Sequence, residues 1–187
     1  MSYEWNRNGD HPRVSQRAYT HPTAVLVGNV EVGDDVFVGP YAVLRADEQG
    51  ADGSVGPIVI GAGSNIQDGV IIHAVGGTGV HVGHGSSIAH GAVVHGPCEI
   101  GAGCFVGFRS VVYASRLGSG TAVMHGCLVE GVELPKDCVV TSGAIVRRQD
   151  AVASLGSVDA DTRGFMDRVR AANTDLAQWR LSRKDSR

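Results

Sequence analysis

Residues 66–95 read IQDGVIIHAVGGTGVHVGHGSSIAHGAVVH, and their register decides the fold. Ile66, Ile72, Val82, Ile88 and Val94 stand at a six-residue spacing, broken once by a four-residue Gly-rich insertion at Gly76, Gly77, Thr78 and Gly79. The same spacing extends outward. Before this stretch come Leu26, Val32, Val38 and Leu44, then Ile60. After it come Ile100, Val106 and Val112, then Leu117, Val123 and Val129, then Leu134, Val140 and Val146, with a one-residue slip between groups. A fixed short period marks a solenoid, and six-residue repeats mark a β-helix. We therefore expect an all-β fold, a left-handed parallel β-helix of hexapeptide repeats. Each repeat forms one face of a triangular prism, three repeats make one coil, and the periodic apolar residue points inward.

The histidines can be placed on that prism. His73 follows Ile72 and His95 follows Val94, so they hold one repeat position, separated by one coil plus the insertion. They should stand on neighbouring strands, ~4.8 Å apart and pointing outward. His90 lies two places after Ile88, near a corner, too far round the prism to join its own chain's pair through metal–nitrogen bonds of about 2.0–2.1 Å. A neighbouring chain can bring its His90 into place, and three-fold packing gives one such site per interface. The reading is that His73, His90 and His95 ligate one metal ion. Without a metal, the three would form a polar seam between subunits.

Gln67 shares the repeat position of His73 one face earlier, and Asp68 shares the column of His90. Gln67 thus suits a neighbouring chain's site. Asp68 is placed to orient an imidazole or a bound water. Glu48 to Pro57, EQGADGSVGP, breaks the period and reads as a loop. Insertions in solenoids cluster on one side and often carry function. Arg45, Asp47 and Glu48 lie at its start. His81 and His84 read as surface histidines, with proton transfer as the functional alternative.

The segments RADE (45–48), NIQDGVIIH (65–73), HGAVVH (90–95) and GCFVGFRS (103–110) resemble the γ-class carbonic anhydrases, in particular the γ-carbonic-anhydrase-like domains of carboxysome assembly proteins. The resemblance covers about residues 20–150 plus a C-terminal helix. It implies metal ligands at His73, His90 and His95, the middle one from the adjacent subunit. It also implies a subunit-contact pair at Arg45 and Asp47, an acidic proton acceptor at Glu48, and Gln67 and Asp68 flanking the reactive water. An active-site asparagine falls at Asn173. The implied activity is reversible hydration of CO₂ to bicarbonate and a proton, in a homotrimer holding Zn²⁺, with Fe²⁺ or Co²⁺ as alternatives. Two departures stand out. Some members have a longer, Glu-bearing loop near residue 75 that this chain lacks, so Glu48, His81 or His84 would carry the proton out. An aromatic residue often found two places before the asparagine is Ala171 here. The alternative function is a catalytically silent trimeric scaffold with a structural metal site. A hexapeptide acyltransferase is a further class, but nothing in the sequence indicates a CoA site.

Composition bounds the rest. The 187 residues carry a net charge of −3, and no basic cluster precedes the tail Arg180 to Arg187, which argues against nucleic acid or an anionic membrane as partner. No apolar run approaches the ~20 residues of a membrane span. Met1 to Arg17 has no apolar signal core, so the expected location is cytoplasmic. Cys98, Cys104, Cys127 and Cys138 all fall four places after a periodic residue. They read as reduced, inward-facing core residues rather than ligands or disulfides. The expected organisation is a polar lead-in at 1–19, the β-helix at 20–150, and a helix at 157–183. Asp159 or Asp161 would cap that helix. Its apolar stripe would run Phe165, Val169, Ala172, Leu176 and Trp179 or Arg180, with Asn173 one place off it.

Overall fold

A computed structural model describes residues 2–183. The chain winds as a left-handed parallel β-solenoid of about seven turns with three sheets, one per prism face. The first sheet runs from Ser2–Glu4 through Val25–Gly28, Val43–Ala46, Ile71–Ala74 and Val93–Gly96 to Val111–Tyr113, Leu128–Glu130 and Ile145–Val146. The second begins at Arg13–Val14 and ends at Glu133–Leu134. The third begins at Tyr19–Thr20 and closes with the only antiparallel pairing among the described residues, Cys138–Val140 against Gly156–Ser157.

The periodic residues form the core. All of those named above, from Leu26 to Val146, are at most 4% exposed. Burying each Val, Leu or Ile contributes about 1.5–3 kcal/mol relative to exposure. The small-residue column is also interior. All four cysteines are free and buried, and burial pushes the Cys104 thiol up to about 11. Buried hydroxyls in that column are satisfied from coil to coil. Ser86 Oγ, for example, donates to Gly101 O and accepts from Cys104 N.

Both insertions leave the ladders intact. Val43 pairs with Ile71 across residues 48–57, and Ile71 pairs with Val93 across residues 76–79. The two loops pack backbone against backbone. A Cβ on Gly76 would stand 2.2 Å from Gln49 O, so only glycine fits there.

The solenoid starts earlier than its periodicity suggests. Of residues 1–19, expected as a lead-in, those from Ser2 onward supply most of a first coil. Ser2–Glu4, Arg13–Val14 and Tyr19–Thr20 pair in parallel with Val25–Val27, Glu31–Val32 and Phe37–Val38.

Two helices follow the last coil, α1 (Gln149–Val152) and α2 (Ala160–Ser182). Asp159 caps α2 by accepting from Thr162 N at 2.7 Å. The helix covers the third sheet: Met166 packs with Ala89, Phe105 and Ala122, and Ala177 packs with Tyr19 and Phe37. Phe165, Val169 and Leu176 of the expected stripe pack against the sheet, but the most buried positions are rotated to one side of it. Met166 and Ala177 are buried and Val169 and Asn173 half-buried, whereas Ala172 and Trp179 face solvent. At 3.6 residues per turn, positions 166, 169, 173 and 177 share a face, so Asn173 belongs to the stripe. Of the basic tail, residues 184–187 lie outside the described residues. No helix among the described residues is long and apolar enough to cross a membrane.

Candidate metal centre

The first sheet carries two outward columns. One continues through Val25, Val43, Ile71, Val93, Val111, Leu128 and Ile145, each paired with the next. Ile71 and Ile145 are 44% and 68% exposed. The other five are half-buried, so the column forms a continuous, partly exposed apolar strip, a feature that often accompanies an interaction surface. The other column runs Val27, Arg45, His73, His95, Tyr113 and Glu130.

His73 and His95 are direct cross-strand partners. His73 Nδ1 lies 3.2 Å from His95 Nε2, with the rings edge to face. Two nitrogens on one tetrahedral zinc stand about 3.3–3.4 Å apart for bonds of about 2.0–2.1 Å, so this pair fits one metal ion. Arg45 fixes the tautomers. A guanidinium has only donors, so Arg45 Nη2 donates to His73 Nε2 at 3.2 Å. In the metal-free chain His73 Nδ1–H then donates to His95 Nε2, and His95 Nδ1–H is left to donate to Gly96 O at 3.2 Å; a metal ion held by both facing nitrogens requires the His73 proton to move to Nε2 and Arg45 to give up its bond there. The bond to Gly96 O turns the His95 Nε2 lone pair toward His73, as in the carbonyl-oriented histidines of metal sites.

Acidic groups close the cluster. Arg45 Nε is 3.3 Å from Asp47 Oδ1. His73 Nε2 is 3.6 Å from Asp47 Oδ1 and 3.7 Å from Glu48 Oε2. Glu48 Oε1 accepts from Gly76 N at 3.3 Å, which ties the two insertion loops to the site. Burial, helped by Arg45 and His95, holds His73 below the usual histidine range against the opposing pull of Asp47 and Glu48. The neutral imidazole, the form that binds metal, is therefore favoured.

The remaining expected residues lie elsewhere. His90 sits at the corner between the third and first sheets, with its Nδ1 3.9 Å from Asp68 Oδ2 and its ring stacked on Phe108 at 5.5 Å. Gln67 is buried beside that corner and donates through Nε2 to Asn65 Oδ1, while Asn65 Nδ2 donates to Ser87 Oγ. Asn173 donates to Val169 O in its own helix. Among the described residues of one chain, no three His, Cys, Asp or Glu side chains form a ligand set. One chain thus joins Arg45, Asp47, Glu48, His73 and His95, and holds Gln67, Asp68, His90 and Asn173 apart from them.

Two features escaped the sequence reading. The apolar outward column is visible as the residue just before each inward one. Asn65 and Ser87 are two polar neighbours in a column that carries the aromatics Tyr19 and Phe37 before them and Phe105 after them.

No family model matches the chain. Among known proteins it is 31% identical over 176 residues to a carbonic anhydrase from Methanosarcina thermophila, covering 84% of this chain and 69% of that protein. The chain belongs to the γ-class carbonic anhydrase family. This γ-class chain is also 39% identical to the carboxysome assembly protein CcmM of Synechocystis, over 94% of its own length but only 26% of CcmM. It is 45% identical to the carnitine operon protein CaiE of Escherichia coli, over 99% of this chain and 81% of CaiE. In fold, it resembles a putative acetyltransferase of Bacillus cereus, with a TM-score of 0.81 at 20% identity. Membership implies a metal cofactor, and the His73–His95 geometry fits one.

Proposed function

We propose that the chain catalyses reversible hydration of CO₂ to bicarbonate and a proton, as a homotrimer with one metal site per subunit interface. The observation that carries this is the His73–His95 pair, two imidazole nitrogens 3.2 Å apart with no third ligand beside them among the described residues of the same chain, next to a partly exposed apolar strip. The third ligand is the neighbouring subunit's copy of His90, brought in when the apolar strips are covered. Zn²⁺ is the proposed ion, and imidazole ligands also suit Fe²⁺ or Co²⁺.

When bound, such a cation lowers the pKa of a water on it towards ~7. The chain's own groups do the rest. Arg45 and Asp47 hold the contact across chains and keep the His73 ring in place. The amide of Gln67, pinned by Asn65, orients the attacking water, and Asp68 orients His90. Asn173, on the helix face that covers the third sheet, holds CO₂ or the bicarbonate product. Glu48 receives the released proton. Its carboxylate is half exposed and bridges His73 and the Gly76 loop, so it faces both the site and solvent.

The test is stopped-flow CO₂ hydration on the purified protein loaded with Zn²⁺ or Co²⁺, against a chelated control. Metal-dependent acceleration is expected. No acceleration in a trimer that retains one metal ion per chain would overturn the enzymatic reading and favour a catalytically silent scaffold.

A further inference from the structure

His90 is the least constrained of the three histidines. Its side chain is 56% exposed, and its polar contact, with Asp68, is long at 3.9 Å. A ligand offered to another subunit must nevertheless hold one direction, because a freely rotating ring loses conformational entropy on binding. Its neighbours along the prism supply the restraint. Asp68, His90, Phe108, His125 and Ser142 form one corner column, each two places after an inward residue. The His90 ring stacks on Phe108 at 5.5 Å and 25°, and Phe108 stacks on His125 at 4.4 Å and 8°.

Phe108 is itself 40% exposed and would turn freely without support. His125 holds it in two ways. One is the near-parallel ring face. The other is indirect: its Nδ1 accepts from the backbone N–H of Phe108 at 3.1 Å, which fixes the His125 ring in the plane against which Phe108 stacks. His125 in turn is fixed from below and behind. Its backbone N–H donates to Ser142 Oγ at 3.3 Å, and its ring meets Phe105 and, from α2, Phe165 edge to face.

We propose that His125 is a positioning residue for the metal centre, setting the direction of His90 through the ring of Phe108. The inference rests on the reading of His90 as a ligand delivered to a neighbouring subunit. Groups that orient ligands typically change metal affinity by about 10–100-fold when removed.

The experiment measures zinc affinity by chelator competition, together with the visible spectrum of the Co²⁺-loaded protein. The proteins are wild type, His90→Ala, His125→Ala, His125→Phe and Phe108→Leu. His125→Ala and Phe108→Leu are expected to weaken zinc binding by about tenfold and to shift the Co²⁺ bands. His125→Phe keeps a ring beneath Phe108 and is expected to recover most of the loss. Wild-type affinity and spectrum in both His125→Ala and Phe108→Leu would overturn the positioning role alone, as would failure of His125→Phe to recover. Wild-type protein that takes up no zinc, or His90→Ala that binds it undiminished, would overturn the ligand reading and this inference with it.

Discussion

The sheet face that carries His73 and His95 and the corner that carries His90 are built differently. On the face, the His73 side chain is only 13% exposed, and it is bonded to Arg45 and His95. Two insertion loops are braced against it through Glu48. At the corner, His90 is mostly exposed and is restrained by ring stacking. Under the proposed function, the face is the prepared receptor and the corner the group presented to it. Each chain carries both halves, on different sides of one prism, so in that reading neither half is complete until a second chain arrives.

The sharpest way to break this comparison is to damage each half in a separate chain. His95→Ala and His90→Ala should each abolish zinc uptake and CO₂ hydration while the solenoid still folds. Unfolding the two together and refolding them as mixed trimers should restore about a quarter of the sites, because one interface in four then pairs an intact face with an intact corner. Both zinc content and rate report the outcome. An active His95→Ala protein, or a mixture with no recovery, contradicts a shared site.

A smaller intervention separates assembly from ligation. Ile71→Glu places a charge in the apolar strip without touching a histidine. Ile71 is 44% exposed, so the chain's own stability should move by within about 0.5 kcal/mol. Sedimentation should show monomers, and zinc affinity should fall at least tenfold, the expected result of losing the partner's ligand. Retained zinc in a monomer would show that the face alone suffices.

The bracing of the face can be loosened by itself. Gly76→Ala forces a Cβ to within 2.2 Å of Gln49 O. Overpacking of this kind typically costs about 1–3 kcal/mol, and the shifted loop withdraws the N–H that holds Glu48. Hydration should fall several-fold in weak buffer and recover when concentrated imidazole supplies an alternative proton acceptor. A loss that buffer does not rescue would remove Glu48 from the proton route.

The smallest effect is on the metal-free face. His73 is held below the ordinary histidine value, so the unfolded chain binds its proton more readily than the folded one. The stability associated with a neutral His73 is therefore present above the unfolded value of about 6.5 and is lost as pH falls below it. Urea melts of the chelated protein should show this decline, and His73→Phe should flatten it.

Much of the architecture was legible in the residues. The six-residue period marked every interior position it named, because an inward side chain in a narrow prism has no alternative but burial. The His73–His95 pairing also followed from register, since the four-residue insertion loops out without disturbing the ladders on either side. Other features were less legible. The first coil hid in residues 2–20 because its two- and three-residue strands join the solenoid through backbone bonds, which leave little side-chain pattern. Asn173 was placed one position off the helix stripe because Ala172 and Trp179 looked apolar enough to define it. Packing against Tyr19, Phe37 and Phe105 rotated the buried face to Met166, Asn173 and Ala177. His125 looked merely structural until its ring was seen stacked beneath Phe108.

By itself, the sequence determined the period, and with it the prism, its interior and the column in which two histidines meet, because strand register converts spacing directly into position. Only the tertiary structure decided which outward groups act together. The Arg45–His73–His95 relay, the brace from Gly76 to Glu48, the apolar strip and the corner stack all depend on how side chains from successive coils and loops lie against one another. Spacing along the chain fixes where a side chain starts, whereas its packing fixes where it points.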